Sequence, residues 1–160
     1  MRSVQVICVG KLKERFYIDA CAEYAKRLGA YCRLKVVELP EEKLPGKPSQ
    51  AQIDGALARE AAAIRAKLPP GAYVTALCVE GRLRSSEELA VGLRACGSGE
   101  AKHLVFLIGG SFGLDEELKR EAQDRLSMSP MTFPHHLARV MLLEQLYRGF
   151  KINEGGTYHK

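Results

Sequence analysis

The sequence predicts an α/β protein whose mostly parallel sheet is flanked by helices. First, short runs rich in β-branched residues alternate with amphipathic stretches along the whole chain. Second, Leu104–Ile108 is apolar at every position, which is typical of a strand buried on both faces inside a parallel sheet. Third, this run leads directly into a glycine-rich turn, Gly109–Gly113, and a charged helical stretch follows. Ligands of open α/β sheets bind at this edge, beyond the carboxyl ends of the strands.

Five strands are predicted, and each of the first four ends at a glycine, a proline or a polar turn. They are Ser3–Val9, Arg33–Leu39, Tyr73–Val79, Leu104–Ile108 and a short fifth strand at Ser127–Phe133. Gly10 closes the first strand and Pro40 stops the second. The segment Glu41–Pro48 holds prolines, a glycine and charges of both signs, so we expect a surface loop there.

The helices between the strands are indicated by apolar spacing and by capping signals. They are predicted at Lys11–Leu28, 49–68, 85–95, Asp115–Leu126 and His135–Phe150. Ser49 with Gln52, and Ser85 with Glu88, match the capping box that opens many helices. The last helix is apolar on two faces, which predicts either a partner subunit or burial within the fold.

Composition favours one globular domain, 1–160, because the 160-residue chain has neither a linker nor an internal repeat. The five cysteines are odd in number and widely spaced, which argues against a disulfide framework and against a zinc site. No apolar run reaches the roughly 18 residues that span a bilayer, and no signal peptide is recognisable. We therefore expect a cytoplasmic protein without membrane contacts or a metal. The net charge of +5 permits an anionic partner such as nucleic acid without requiring one.

Several common catalytic motifs are missing from the sequence. The first strand is not followed by G-x-G-x-x-G, and the P-loop lysine, H-E-x-x-H and G-x-S-x-G are also absent. What remains is the edge formed by the carboxyl ends of strands three, four and five, together with a polar tail, 154–160. The glycine turn is equally compatible with a tight strand-to-helix connection without ligand. The tail is equally compatible with a disordered terminus.

An ordered set of motifs adds a resemblance to a known family. LIGGSFG (107–113), MTFPH (131–135), EQLYR (144–148) and the final YHK (158–160) occur in this order and spacing. With them, the whole chain resembles the ribosomal RNA large subunit methyltransferase H family, a group of SPOUT-class methyltransferases with a trefoil knot. The resemblance implies a knotted carboxyl-terminal part and S-adenosyl-L-methionine as methyl donor. It also implies a homodimer that methylates N3 of a pseudouridine in large-subunit (23S) ribosomal RNA on assembled ribosomes.

The resemblance also implies which residues hold the cofactor. They are Leu77, Gly109, Gly110, Met128, Ser129, Pro130, Met131, Thr132 and Phe133. Backbone N–H and C=O groups would read the adenine, while Leu77, Met131 and Phe133 supply apolar walls. The two glycines would leave room for a bent cofactor. Pro130 has no backbone N–H, so a hydrogen bond at that point has to come from a neighbour.

The catalytic candidates implied by the resemblance are Tyr158, His159 and Lys160 of the tail and Arg148 of the last helix. The acceptor nitrogen carries a proton, and cationic groups beside the base would stabilise the anion that forms when this proton is lost. His159 is the candidate proton acceptor because histidine titrates near neutral pH. Arg148 and Lys160 would stabilise negative charge or hold phosphates. The alternative role for Arg148 is a surface ion pair with Glu144, four residues away.

The rest of the basic surface gives a weaker prediction of RNA contacts. The candidates are Lys11, Lys13, Arg15, Lys26, Arg27, Arg82 and Arg84. His135 and Arg139 share a helix face and are candidates for contacting RNA or a second subunit. Two other functions remain open at this point, a SPOUT enzyme acting on transfer RNA and a non-catalytic RNA- or ribosome-binding α/β module.

Overall fold

The structure, a computed structural model, describes residues 1–99 and 101–160. Strands and helices alternate along the chain, as the sequence predicts. In order they are β1 (Arg2–Val9), α1 (Arg15–Leu28), β2 (Cys32–Leu39), α2 (Gln50–Arg65), β3 (Tyr73–Leu83), α3 (Ser86–Ser98), β4 (His103–Ile108), α4 (Glu116–Glu121), β5 (Asp124–Ser127) and α5 (His135–Asn153). None of the helices in the described ranges is long and apolar enough to cross a membrane.

The five strands form one sheet in the order β2-β1-β4-β3-β5, and every neighbouring pair is parallel. β1 pairs with β2 along its whole length, from Arg2 opposite Cys32 to Val9 opposite Leu39. β4 lies between β1 and β3, and Leu104–Ile108 is buried throughout. The predictions of a parallel sheet and of a fully buried fourth strand are therefore confirmed.

The two faces of the sheet are covered by different helices, because successive side chains of a strand point to opposite faces. Val4, Val6 and Cys8 of β1 pack in one cluster with buried residues of α1, α3 and α5. Ile7 and Val9 pack in a second cluster with residues of α2 and α4. The helix α5 contacts both α1 and α3, so burial within the chain accounts for its second apolar face.

The predicted boundary between the fourth helix and the fifth strand is wrong. α4 ends at Glu121 and β5 already begins at Asp124, whereas the sequence predicts a helix to Leu126 and a strand at 127–133. Pairing with β3 is the reason, since Leu126 lies opposite Leu77 and the Asp124 carboxylate binds the Arg84 guanidinium. Residues 128–133 form a loop instead.

The other boundaries differ by a few residues. β3 continues to Leu83, and its pairing with β5 is irregular between Leu77 and Arg82. α1 begins at Arg15 rather than Lys11, because the Leu12 N–H donates to the Glu38 carboxylate at 3.1 Å. Both predicted capping boxes are present, at the starts of α2 and α3.

Candidate active site

A cleft opens at the carboxyl edge of the sheet where β3 and β4 separate. Their pairing ends with Ala76 opposite Leu107, and the pairing of β3 with β5 is interrupted between Leu77 and Arg82. Residues 78–80 therefore pair regularly with neither neighbouring strand. The cleft has a volume of about 870 Å³, which is within the usual range for a small-molecule site.

The walls of this cleft bring together eight of the nine residues predicted to hold the cofactor. They are Leu77, Gly109, Gly110, Met128, Ser129, Met131, Thr132 and Phe133. Pro130, by contrast, is exposed and is not part of the lining. Met131 and Phe112 stand at the mouth with 72% and 48% of their surface exposed, so the cleft presents apolar walls that the chain itself leaves uncovered.

Packing within the chain explains the glycines of the turn, whereas the sequence suggested that they make room for a bent cofactor. A Cβ on Gly109 would lie 2.4 Å from the carbonyl carbon of Gly113, and a Cβ on Gly110 would lie 2.7 Å from the Glu41 carboxylate. Gly113 has a φ of +81°, which favours glycine, and its N–H donates to the Gly110 carbonyl at 3.1 Å. The turn therefore needs glycine to fold against itself, whether or not a ligand is present.

The loop at 128–133 is held by hydrogen bonds of its own rather than by sheet pairing. The Ser127 hydroxyl donates to the Ser129 carbonyl at 3.1 Å, and the Met131 N–H donates to the Ser129 hydroxyl at 3.0 Å. Such serine turns compete with strand formation, which explains why this segment is not a strand. The loop keeps Met131 and Phe133 on the cleft wall.

One ion-pair group at the cleft was not predicted. The buried Lys119 of α4 donates to Glu80, in the irregular part of β3, and to Glu116 at 2.6 Å. The hydrogen bond from Lys119 holds the pKa of Glu80 below its usual range. Burial lowers the pKa of His135, so this imidazole is neutral at pH 7. In the sequence, the ion-pair group of Lys119 is signalled only by a lysine on the apolar side of a short charged helix.

The carboxyl-terminal residues Tyr158 and His159 fold back onto α5, where they meet Arg148. The Arg148 guanidinium donates to Glu144 at 2.6 and 2.9 Å and to His159 Nδ1 at 3.1 Å, and it lies 4.8 Å from the centre of the Tyr158 ring. We call Glu144, Arg148, Tyr158 and His159 the tail cluster. Lys160 is exposed, and no described contact joins it to the tail cluster.

Both ring nitrogens of His159 are engaged by neighbours of the tail cluster. An arginine can only donate, so Nδ1 of His159 accepts the hydrogen bond from Arg148. Nε2 lies 2.7 Å from the Glu87 carboxylate of α3 and donates to it. Burial, with the nearby Glu144 carboxylate, raises the pKa of Tyr158, which therefore remains a phenol. In this arrangement neither nitrogen of His159 is free to accept a proton.

The cleft and the tail cluster do not meet within one chain. None of the described residues lining the cleft lies beyond Ala138, whereas the tail cluster begins at Glu144, six residues further along α5, and is centred on Arg148, ten residues further. Six to ten residues of an α-helix span about 9–15 Å. The structure thus brings together most residues of each predicted set, without Pro130 and Lys160, and keeps the two sets apart within one chain.

The residues predicted to contact RNA differ in exposure and in pairing within the chain. Arg139 is 2% exposed and donates to Glu38 at 2.6 Å and to the Gly10 carbonyl at 3.0 Å, so the expectation that it contacts RNA or a second subunit is wrong. Arg15, Arg27, Arg82 and Arg84 each lie within 4.0 Å of a carboxylate of the same chain. Lys11, Lys13 and Lys26 are exposed.

Comparison with known proteins decides the family. A family model described as a predicted SPOUT methyltransferase matches residues 2–159. The chain belongs to the SPOUT methyltransferase family. Within it, the chain is 46% identical over 158 residues to the ribosomal RNA large subunit methyltransferase H of Ligilactobacillus salivarius (strain UCC118), with 99% of both chains covered. The protein of the same name from Listeria monocytogenes serotype 4a (strain HCC23) is 42% identical at the same coverage.

A solved structure supports the fold of this SPOUT methyltransferase. It is described as a probable methylase family protein from Haemophilus influenzae Rd KW20 and aligns with a TM-score of 0.52 at 13% identity, covering 98% of this chain and 70% of that one. The family resemblance stated from the sequence is confirmed, and SPOUT methyltransferases take their methyl group from S-adenosylmethionine. The cleft suits this cofactor in volume, apolar walls and unpaired backbone. The knot implied by the family stays a prediction.

Proposed function

We propose that this SPOUT methyltransferase methylates N3 of a pseudouridine in large-subunit ribosomal RNA. It acts on assembled ribosomes in the cytoplasm, as a homodimer of the single domain 1–160 and without a metal. The observation that carries the proposal is likeness to ribosomal RNA large subunit methyltransferases H at 42–46% identity over 99% of the chain. The two relatives are named for ribosomal RNA rather than transfer RNA, and family membership weighs against a non-catalytic binding module.

The cleft is the proposed cofactor site. Leu77, Met131 and Phe133 form apolar walls for the adenine, and the bulged backbone of 78–80 offers N–H and C=O groups that β4 does not use. Glu80 and Glu116 share one cationic partner, Lys119, so this group keeps a net negative charge that favours a ligand with a positive charge. When bound, S-adenosylmethionine supplies a methyl group that is already activated by the sulfonium.

The tail cluster is proposed to manage the proton of the acceptor nitrogen. Arg148 would stabilise the anionic base after deprotonation, because a guanidinium always carries its charge and donates several hydrogen bonds. His159 can accept the proton only after RNA binding separates Nδ1 from Arg148. Tyr158, as a phenol, donates a hydrogen bond throughout, at present to Glu144 at 3.2 Å. Lys160 is proposed to hold a phosphate or to stabilise negative charge.

A homodimer explains how these two sets of residues cooperate. Because the cleft and the tail cluster are separate within one chain, we propose that the tail of one subunit completes the cleft of the other. A twofold dimer would then contain two such composite sites.

The direct test measures methylation of purified ribosomes by mass spectrometry of their ribosomal RNA. We expect a gain of one methyl group at a pseudouridine with the full-length protein. Deletion of Tyr158–Lys160 should abolish turnover while leaving the dissociation constant for S-adenosylmethionine unchanged. Thr157→Ala, at an exposed position beside the deleted residues, is the matched control. Unimpaired turnover after the deletion would remove the tail from the mechanism. Methylation of transfer RNA but not of ribosomal RNA would show that the proposed substrate is wrong.

Complementation tests the composite site. Met131→Lys places a cation in the cleft at an exposed position, so we expect a folded protein that no longer binds the cofactor. Mixed with the tail deletion, it should restore roughly a quarter of wild-type activity, since half of randomly paired dimers are mixed and each has one complete site. No recovery, in a mixture shown to exchange subunits, would place the tail and the cleft of one chain at the same site.

A further inference from the structure

A second depression lies at the opposite edge of the sheet, beside the amino ends of β1, β2 and β4. Its volume is about 680 Å³, and its charged lining consists of Arg2, Arg33, Arg94 and Lys102. We call these four residues the basic basin. They come from β1, β2, α3 and the segment before β4, so only the folded chain brings them together.

The cations of the basic basin differ from most other arginines of the chain. Arg33, Arg94 and Lys102 are exposed, and none of them has an ion pair or a side-chain hydrogen bond in the part of the chain that the structure describes. Arg2 donates to the Leu93 carbonyl, which fixes it at the wall without neutralising its charge. Like charges gathered in this way repel one another until counterions or an anionic ligand bind.

Acidic residues near the basin do not offset this charge. Glu154 approaches it through Tyr31 but is already paired with Lys151. Glu100 lies outside the described residues and carries a single charge, against four in the basic basin. The depression therefore keeps a net positive charge, whatever the position of Glu100.

The aromatic lining indicates what kind of anion is recognised. Tyr31 and Phe150 stack on each other, with ring centres 5.8 Å apart and planes inclined by 11°, and Phe150 is buried. Both rings line the depression, and the Tyr31 ring is also contacted by Tyr147 and by the Lys151 ammonium, so its neighbours within the chain already occupy it. Guanidinium groups match phosphate oxygens in geometry as well as in charge. The basin is thus suited to phosphates rather than to bases.

We propose that the basic basin binds the phosphate backbone of the RNA substrate at a point remote from the methyl donor. β4 connects the two places, with Lys102 just before it and Gly109 just after it, and its six residues span about 20 Å. The contact positions RNA without reading its sequence. This inference rests on RNA being the substrate, but it does not depend on which base is methylated.

Paired triple variants with the same loss of charge test the proposal. The basin variant is Arg33→Gln, Arg94→Gln and Lys102→Gln, and the control is Lys35→Gln, Lys67→Gln and Arg120→Gln, three exposed cations elsewhere on the surface. Binding to purified ribosomes is measured at KCl concentrations from about 50 to 200 mM. Affinity for S-adenosylmethionine, melting temperature and sedimentation are recorded for both variants.

We expect the basin variant to bind ribosomes at least tenfold more weakly and to lower the slope of log affinity against log salt by about two, as for the loss of two or three phosphate contacts. The control should change the slope by less than one, and neither variant should alter cofactor affinity. Equal slopes for the two variants would overturn the proposal. So would a change of oligomeric state confined to the basin variant, since the basin would then be an interface between copies. Failure of the proposed function would be distinguishable, because wild-type protein would then leave ribosomal RNA unmethylated.

Discussion

The charged side chains at the two edges of the sheet differ in burial and in ion pairing. At the carboxyl edge, Lys119 and Arg139 are buried and paired with carboxylates of the same chain. At the amino edge, Arg33 and Lys102 are exposed and unpaired among the described residues. A buried ion pair is a structural element, because removing one partner leaves an uncompensated charge. An exposed unpaired cation contributes little to stability and remains available to a ligand.

This difference supports the two proposals, in which each edge serves its own ligand. The carboxyl edge offers apolar walls and backbone groups, which suit a small cofactor held in one orientation. The amino edge offers charge with few directional constraints, which suits a polyanion that extends beyond the protein. Substitutions at one edge should therefore affect one ligand and spare the other.

The largest expected effect comes from Gly109→Ala at the carboxyl edge. The new Cβ would lie 2.4 Å from the Gly113 carbonyl carbon, so the glycine turn must shift. We expect S-adenosylmethionine binding to be lost in calorimetry and stability to fall by about 2 kcal/mol, as for an overpacked core site. The salt dependence of ribosome binding should be unchanged, because the basic basin lies at the other edge.

Gly46→Ala is the control for this substitution, since a Cβ there meets nothing within 4 Å. It should leave cofactor binding and stability at wild-type values. Normal cofactor affinity in Gly109→Ala would mean that the turn is not part of the binding site.

Next in size is the stability effect of Glu38→Gln, which removes the carboxylate that pairs with the buried Arg139. We expect a loss of about 2 kcal/mol in urea denaturation, less than the 3–5 typical of a fully buried pair because Glu38 is 36% exposed. Arg33→Gln at the amino edge should change stability by less than about 0.5 kcal/mol. Equal effects at both edges would contradict the contrast drawn between them.

The pH dependence of this effect has a definite sign. Burial acts to raise the pKa of Glu38, but hydrogen bonds from Arg139 and from the Leu12 N–H outweigh it and hold the pKa below its usual range. The stabilisation is therefore complete above that range and is lost as the pH falls through the lowered pKa. The gap in stability between wild type and Glu38→Gln should accordingly close below about pH 4.

How far the sequence predicts each region follows from how the region is assembled. The central strand was predictable because its apolar signal, Leu104–Ile108, is contiguous. The residues that line the cleft were named from the resemblance to a family, whose motifs are likewise short contiguous segments such as 107–113 and 131–135. β5 was misplaced because Asp124 and Leu126 pair with residues of β3 that are distant in sequence, and this tertiary pairing overrides local pattern.

The predictions about charged residues were the least accurate, because their partners are also distant in sequence. Arg139 and Arg84 appear as surface cations in the sequence, yet their carboxylate partners, Glu38 and Asp124, are brought close only by folding. The basic basin was missed because its four residues are separated along the chain. The separation of the tail cluster from the cleft was equally inaccessible, since it depends on where α5 directs the chain.

The smallest expected effect tests whether the two edges are independent. α3 begins near the carboxyl edge, where Glu87 contacts His159, and ends near the amino edge, where Arg94 belongs to the basic basin. Gly92, in the middle of α3, has room for a Cβ, since nothing lies within 4 Å of it. Gly92→Ala should therefore stabilise the protein by about 0.5–1 kcal/mol through helix propensity.

If the two edges are independent, Gly92→Ala should leave the binding of both ligands unchanged. Cofactor affinity and the salt dependence of ribosome binding should match wild type, while the urea midpoint rises with an unchanged slope. A change in both affinities would show that α3 couples the edges, because the substitution touches neither site directly. The measurement thus separates a helix that only supports two binding sites from one that transmits between them.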